Sequence, residues 1–381
     1  EPAGEPLLPL SASVRTIALV GPLADSAVDM LGSWPGKGDP QMAVTLKSAL
    51  EARLRQTGGR LLYAKGTEIN TASEAGFAAA LAAAKQADVV IAALGEDAQR
   101  MTAEAASRAH LGLPGNQQQL LEQLVSTGKP VVLVVFSGRP LALGWAAAHV
   151  PAIVQAWYPG IEAGPALARV LFGDANFSGK LTVSMPRAVG QEPLYYDALS
   201  TGRPAAGVDL TRPPGSPAEK YVSRYIDERN SPLFPFGYGL SYTRFSYSPV
   251  ELSAATLHPG KSTADLLGTP VISARGLNAG AEGIRVSATV TNSGTRPGRE
   301  IVQLYIRQRG TSVARPVREL KGFKVVELAP GESRRVEFTL GRDELAFWNL
   351  QMRYQAEAAQ VSVWIAPNSA DGVPAQFTIT E

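Results

Sequence analysis

Between Val14 and Pro186, short β-branched runs alternate with longer Ala-rich segments, and this alternation restricts the fold more than any other feature of the chain. Parallel strands cannot be joined by tight turns, so they need crossover segments of helical length, and that is the pattern seen. The expected strands are Thr16–Val20, Leu61–Ala64, Val89–Leu94, Val131–Phe136 and Ala152–Ala156. All are nearly continuous apolar runs, as required of a mostly parallel sheet covered on both faces. The helices expected between them are Val44–Gln56, Glu74–Lys85, Gly115–Ser126 and Gly164–Leu171. Asn116 before QQQLLEQLV and the Gly128–Pro130 stop after it are helix boundary signals. Residues 14–186 therefore read as an α/β sandwich, preceded by a short linker at 1–13.

The texture changes after Pro186. Residues 187–245 are rich in Pro and Gly, include the TRPPGSP run from Thr211 to Pro217 and end in PLFPFGYGLSY, which suits neither a helix nor a long strand. This stretch is expected to be a wrapping linker that fastens two modules. Tyr195, Tyr196, Tyr221, Tyr225, Phe234, Phe236, Tyr238 and Tyr242 give it apolar area to bury, with Phe236, Tyr238 and Tyr242 read as inter-domain packing. From 246 to 381, alternating runs (RVSATVTNSG, EIVQLYIRQ, RELKGFKVVELAPGESRRVEFTL, AQVSVWIAPNS) are separated by turn residues at Asn292–Gly294, Pro330–Gly331 and Asn368. That is the signature of an immunoglobulin-like β-sandwich, here with no cysteine to form the disulfide of antibody domains. The fold class is α/β followed by all-β.

At 381 residues, with 45% hydrophobic and 18% charged residues, the chain is long enough for two or three domains. Thirty-six basic and 34 acidic residues leave a net charge of +2 with no run of one sign, which disfavours nucleic acid and anionic membrane as partners. No apolar run approaches the roughly 20 residues of a membrane span, so a soluble chain is expected. EPAGEPLLPL at the start lacks the basic and apolar regions of a signal peptide, so an export signal is expected to have been removed or to lie upstream.

Several chemistries can be set aside. TIALVGPLADS lacks the G-x-G-x-x-G of a dinucleotide turn, and GSWPGKG at Gly32–Gly38 has neither the spacing nor the final Ser or Thr of a phosphate loop. His110, His149 and His258 are too dispersed for a metal site, and no cofactor is expected. Ser137 follows a strand without a nucleophile elbow, in a setting that reads as a turn. Carboxylates remain. The loop after the strand at Val89 carries Glu96, Asp97, Glu104, Arg108 and His110, and loops at the carboxyl ends of central strands are where open α/β sheets present ligand-binding groups. By pattern alone Glu104 is either a catalytic acid or a solvated Glu paired with Arg108 at i, i+4. Trp34 is either a loop platform for a sugar face or a ring packed on its own domain.

The segments VGPLADSAVDMLGSW (Val20–Trp34), ALGEDAQRMTAEAASR (Ala93–Arg108), LPGNQQQLL (Leu113–Leu121), GRPLAL (Gly138–Leu143), LFGDANFSGKLTVSMPR (Leu171–Arg187), YIDERNSPLFPFGYGLSY (Tyr225–Tyr242) and RPVRELKGF (Arg315–Phe323) occur in one order. In them the chain resembles the C-terminal part of bacterial periplasmic β-glucosidases of glycoside hydrolase family 3. That resemblance implies an enzyme of three modules: a (β/α)8-type barrel, an α/β sandwich and a fibronectin type III-like domain, of which the last two are present. It implies that the nucleophilic aspartate sits on the barrel in an S-D-W-like motif, which these 381 residues lack. Glu104, in E-A-A-S-R, matches the general acid/base glutamate. Trp34 matches a position on the leaving-group side, and Glu96 and Arg108 are read as orienters of the Glu104 loop.

The implied reaction is retaining, exo-acting hydrolysis of terminal β-D-glucosyl residues, in which two carboxyl groups about 5–5.5 Å apart act as nucleophile and as acid/base. The implied partners are a β-glucoside or oligosaccharide and the N-terminal barrel, with a homodimer also admitted. The implied location is the periplasm or the cell exterior, and the chain alone is expected to be inactive. The competing readings are a stand-alone carbohydrate-binding or adhesion module and another specificity of the family, such as β-xylosidase.

Overall fold

The computed structural model describes residues 6–102, 106–205, 217–258 and 283–380. They form two compact units, one of residues 1–176 and 185–192, the other of 177–184 and 193–381.

The first unit is built on five parallel strands: β1 (Thr16–Val20), β2 (Arg60–Ala64), β3 (Val89–Gly95), β4 (Val131–Phe136) and β5 (Ala152–Gln155). Their order across the sheet is β2-β1-β3-β4-β5. Every residue of β3 and β4 is buried, the state of central strands covered on both faces. The edge strand β2 leaves Arg60 and Tyr63 exposed. Helices α1 (Ala27–Met30), α2 (Leu46–Thr57), α3 (Phe77–Lys85), α4 (Gln117–Ser126), α5 (Gly144–His149) and α6 (Ala163–Leu171) connect them. Helix α2 packs on α6, and α3 on α4.

The helix starts differ from expectation by one to three residues. Helix α2 begins at Leu46, not Val44, because Thr45 caps it: the Thr45 hydroxyl accepts the Ser48 N–H at 3.2 Å while its own backbone stays extended. The chain leaves α2 through Gly58 in the left-handed region. The strand expected to reach Ala156 ends at Gln155, just before Trp157 takes a φ of 56°.

The second unit carries β6 (Phe245–Tyr247), β7 (Glu251–Leu252), β8 (Thr256–Leu257), β9 (Gly283–Asn292), β10 (Gly298–Arg309), β11 (Glu319–Leu328), β12 (Ser333–Gly341), β13 (Phe347–Trp348), β14 (Tyr354–Gln355), β15 (Ala359–Ala366) and β16 (Ala375–Ile379). One sheet runs β11-β10-β15-β16-β8; another runs β12-β9-β6, with β7 also on β9. Alternate residues of the long strands, among them Val286, Val290, Leu304, Ile306, Phe338, Val361 and Val363, meet in a single core. This is the sandwich that period-2 patterning requires.

Within this unit the aromatics of the expected linker divide. Tyr196 stacks on Phe236 with centroids 4.1 Å apart, and Phe234 on Tyr238 at 5.3 Å. Tyr195, Tyr221 and Tyr225 are exposed instead of adding buried area, and Tyr221 lies beneath the Arg203 guanidinium. The Pro- and Gly-rich run from Thr211 lies outside the described residues up to 216.

Candidate active site

In a sheet of this order the connection from β1 runs to one side and that into β3 to the other, which opens a crevice at the carboxyl ends of β1 and β3. Of the residues singled out from sequence, Glu96, Asp97 and Arg108 lie there, and the Trp34 loop is tied to the same turn. The backbone turns sharply at Gly95, whose φ of +140° and position preclude a side chain: a Cβ would stand 1.8 Å from the Phe136 carbonyl oxygen. Gln117, at the start of α4, clamps this turn by accepting from the Gly95 N–H at 2.7 Å and donating to its carbonyl at 2.9 Å.

Glu96, the next residue, is fully buried. An ionised carboxylate in that position is tolerable only when paired and hydrogen-bonded. Arg108 approaches its Oε1 at 2.8 Å from one side. Arg139, three residues beyond β4, adds Nη2 to Oε1 at 2.8 Å and Nε to both oxygens at 3.2 Å. Arg139 also donates through Nη1 to the Arg108 carbonyl at 2.6 Å and to Ser107 Oγ at 3.0 Å. One guanidinium thus fixes both the carboxylate and the backbone of the returning loop. Arg108 donates to a carboxylate 12 residues back along the chain.

Asp97 folds back on its own turn. Its Oδ1 accepts from the Gln99 and Arg100 N–H groups at 2.7 and 2.9 Å, and its Oδ2 meets the Arg100 guanidinium. Burial pushes this carboxyl up, but the Arg100 side chain and the two backbone donors outweigh it and hold the group below its ordinary value. Asp29, from α1, accepts the Ala98 N–H at 2.8 Å, and burial raises its carboxyl.

Thr102 and Ser107 then pair as an isolated antiparallel bridge. Glu104 lies between them, at one of the three positions there that are outside the described residues. Both described stems of the loop are tied down: Ser107 and Arg108 through Arg139, and Arg108 N–H to the Met101 carbonyl at 3.2 Å.

Trp34 is 78% exposed, so its ring is not packed on its own domain. Its loop is tied to the same turn: Gln99 Nε2 donates to the Gly32 carbonyl at 2.9 Å, and Ser33 Oγ donates to the Ala98 carbonyl at 2.5 Å. Ser137 is buried in the turn read from its context and donates to the Arg139 carbonyl at 2.9 Å. His110 is exposed. Sequence reasoning missed Arg139, Asp29 and Tyr158. The position of Arg139 just past β4, beside β3, was the available signal.

A parallel sheet with a braced carboxylate loop at its switch point, joined to a β-sandwich, narrows the class of protein considerably. A model of the glycosyl hydrolase family 3 C-terminal domain matches residues 4–242, and one of a fibronectin type III-like domain matches residues 300–369. The chain belongs to glycosyl hydrolase family 3 and carries its C-terminal domain. A periplasmic beta-glucosidase of Salmonella typhimurium is 42% identical, over 95% of this chain and 46% of that protein. A beta-xylosidase of Formosa agariphila is 36% identical, again over 95% and 46%. The crystal structure of a beta-glucosidase from Listeria innocua in complex with glucose superposes with a TM-score of 0.82 at 34% identity, covering 99% of this chain and 47% of that one. The chain spans about half the length of the relatives it matches.

Proposed function

We propose that this chain is the C-terminal portion of a retaining, exo-acting β-glucosidase, and that it supplies the general acid/base, Glu104, to a site whose nucleophile lies on an N-terminal barrel. The observation that carries the reading is the buried Glu96 held between Arg108 and Arg139, which braces both described stems of the loop that contains Glu104. In this role Glu96, Arg108 and Arg139 are positioning residues. An acid/base group must be placed within hydrogen-bond reach of the glycosidic oxygen, and a clamp of this kind removes the freedom of the loop that bears it.

Glu104 protonates the departing oxygen while the barrel's carboxylate attacks the anomeric carbon, then deprotonates the water that releases the sugar. To begin protonated near neutral pH its pKa must lie above the free value of about 4.3, and the anionic nucleophile nearby supplies that rise. Trp34, exposed and tied to the same turn, offers its face to the leaving group. The protein acts in the periplasm or outside the cell, in keeping with the relative named periplasmic. The beta-xylosidase relative supports a second reading, a pentoside substrate, since it matches this chain over the same extent.

The test is hydrolysis of aryl β-glucosides and β-xylosides by this chain alone and joined to the preceding segment of its gene. The chain alone is expected to be inert and the joined protein to prefer the glucoside. Turnover by the chain alone contradicts the missing nucleophile, and preference for the xyloside selects the second reading.

A further inference from the structure

Tyr158 lies three residues beyond β5, and its hydroxyl reaches the backbone of Glu96 at the crevice. The residue before it, Trp157, has a φ of 56°, a left-handed conformation that a residue with a side chain adopts only where its surroundings enforce it. The turn aims the phenol inward. Its hydroxyl donates to the Glu96 carbonyl at 3.2 Å and lies 3.3 Å from Thr102 Oγ1, two residues before Glu104. Its ring sits where two glycines leave room. A Cβ on Gly138 would stand 3.0 Å from Tyr158 Cε2 and 2.6 Å from Thr102 Oγ1, and one on Gly32 would stand 3.2 Å from Tyr158 Cβ. Gly32 is two residues before Trp34. One side chain therefore touches the strand end at Glu96, the stem of the Glu104 loop and the root of the Trp34 loop. Burial pushes the phenol up to about 12, so it remains a neutral donor throughout the range in which a glycosidase works.

We propose that Tyr158 is a positioning residue that couples the Glu104 loop to the Trp34 loop, so that protonation of the leaving group and the grip on it are set by the same side chain. This rests on the reading of Glu104 as the acid/base, and it assigns to Tyr158 no contact with the reacting atoms. Loss of the hydroxyl should impair the proton transfer, and loss of the ring should in addition free the Trp34 loop.

The test is Tyr158→Phe in the longer enzyme that joins this chain to its barrel, assayed on β-glucosides of graded leaving group. Phenylalanine keeps the ring between Gly32 and Gly138 and removes both hydroxyl contacts. For a β-glucoside of a simple alcohol, whose departure needs a proton, kcat/KM is expected to fall by roughly 10- to 100-fold, the scale of a catalytic group displaced by about an ångström. For a dinitrophenyl β-glucoside, which leaves unaided, it should change little, and that surviving turnover also reports that the variant is folded. Tyr158→Ala should add a rise in KM for both substrates. An equal fall on both glucosides in Tyr158→Phe, or no fall on either, overturns the coupling. Glu104→Gln measured alongside separates the two levels: if it lacks leaving-group dependence, the acid/base reading fails and the coupling falls with it. If Glu104→Gln has that dependence and Tyr158→Phe does not, the positioning role alone fails.

Discussion

Arg139→Met removes the guanidinium that reaches both oxygens of Glu96 and leaves a fully buried carboxylate with Arg108 as its remaining ion-pair partner. Methionine keeps much of the stem volume, so the change isolates the charge and its hydrogen bonds. Five donor contacts disappear, three to Glu96 and one each to Ser107 and the Arg108 carbonyl. Breaking a buried pair costs about 3–5 kcal/mol when the survivor is left uncompensated, and because Arg108 still pairs with Glu96 the loss should fall at the lower end of that range. At about 2–4 °C per kcal/mol for a unit of this size, the thermal transition of the α/β unit should fall by roughly 10 °C. Calorimetry or circular dichroism on the chain measures it. Glu96→Met combined with Arg139→Met is the decisive companion, since replacing a buried pair by apolar residues is far milder than breaking it. The double variant removes the buried carboxylate and should recover part of the single variant's loss, the remainder being the cost of Arg108 losing its partner. A fall of less than about 1 kcal/mol in Arg139→Met, or strict additivity in the double variant, refutes the clamp.

Two further outcomes follow from the same region. The Asp97 carboxyl is held below its ordinary 3.8 in the folded chain, so the stability it contributes is present above that value and is lost as pH falls through the folded one. Asp97→Asn should therefore lower the melting temperature at neutral pH, with the gap to the parent closing below about pH 4; a gap that widens in acid contradicts the sign. Gly95→Ala should cost at least about 3 kcal/mol, measured by chemical denaturation, because its methyl has no room beside Phe136. Gly128→Ala, also at positive φ but with open space around it, is the control at about 1–2 kcal/mol; equal losses would remove the steric argument.

The sheet was legible because β3 and β4 are unbroken apolar runs, and a run of that length between Ala-rich segments admits few alternatives. Helices α1 and α5 were missed because four and six residues cannot display a helical period. The loop after β3 could be picked out from its carboxylates and its place at a strand end, whereas its internal pairing could not. The contact of Arg108 with Glu96, 12 residues back, is set by the return of the chain through the Thr102–Ser107 bridge, which no spacing rule reports. Arg139 is 43 residues from Glu96, and only the parallel pairing of β3 with β4 brings it near. Tyr158 depended on still more: a left-handed Trp157 and two glycines from separate loops, none of which composition or periodicity encodes.

The central claim concerns Glu104, and it is tested most directly by Glu104→Gln in the longer enzyme with azide as an external nucleophile. General acid–base catalysis is worth roughly 10²–10⁴-fold, so turnover of a β-glucoside with a poor leaving group should fall by that factor. With a dinitrophenyl β-glucoside, azide should restore turnover and yield the β-glucosyl azide, because the anion attacks the glycosyl-enzyme without needing a base. Unchanged turnover in the variant, or a loss that azide leaves untouched on the activated substrate, would contradict the assignment.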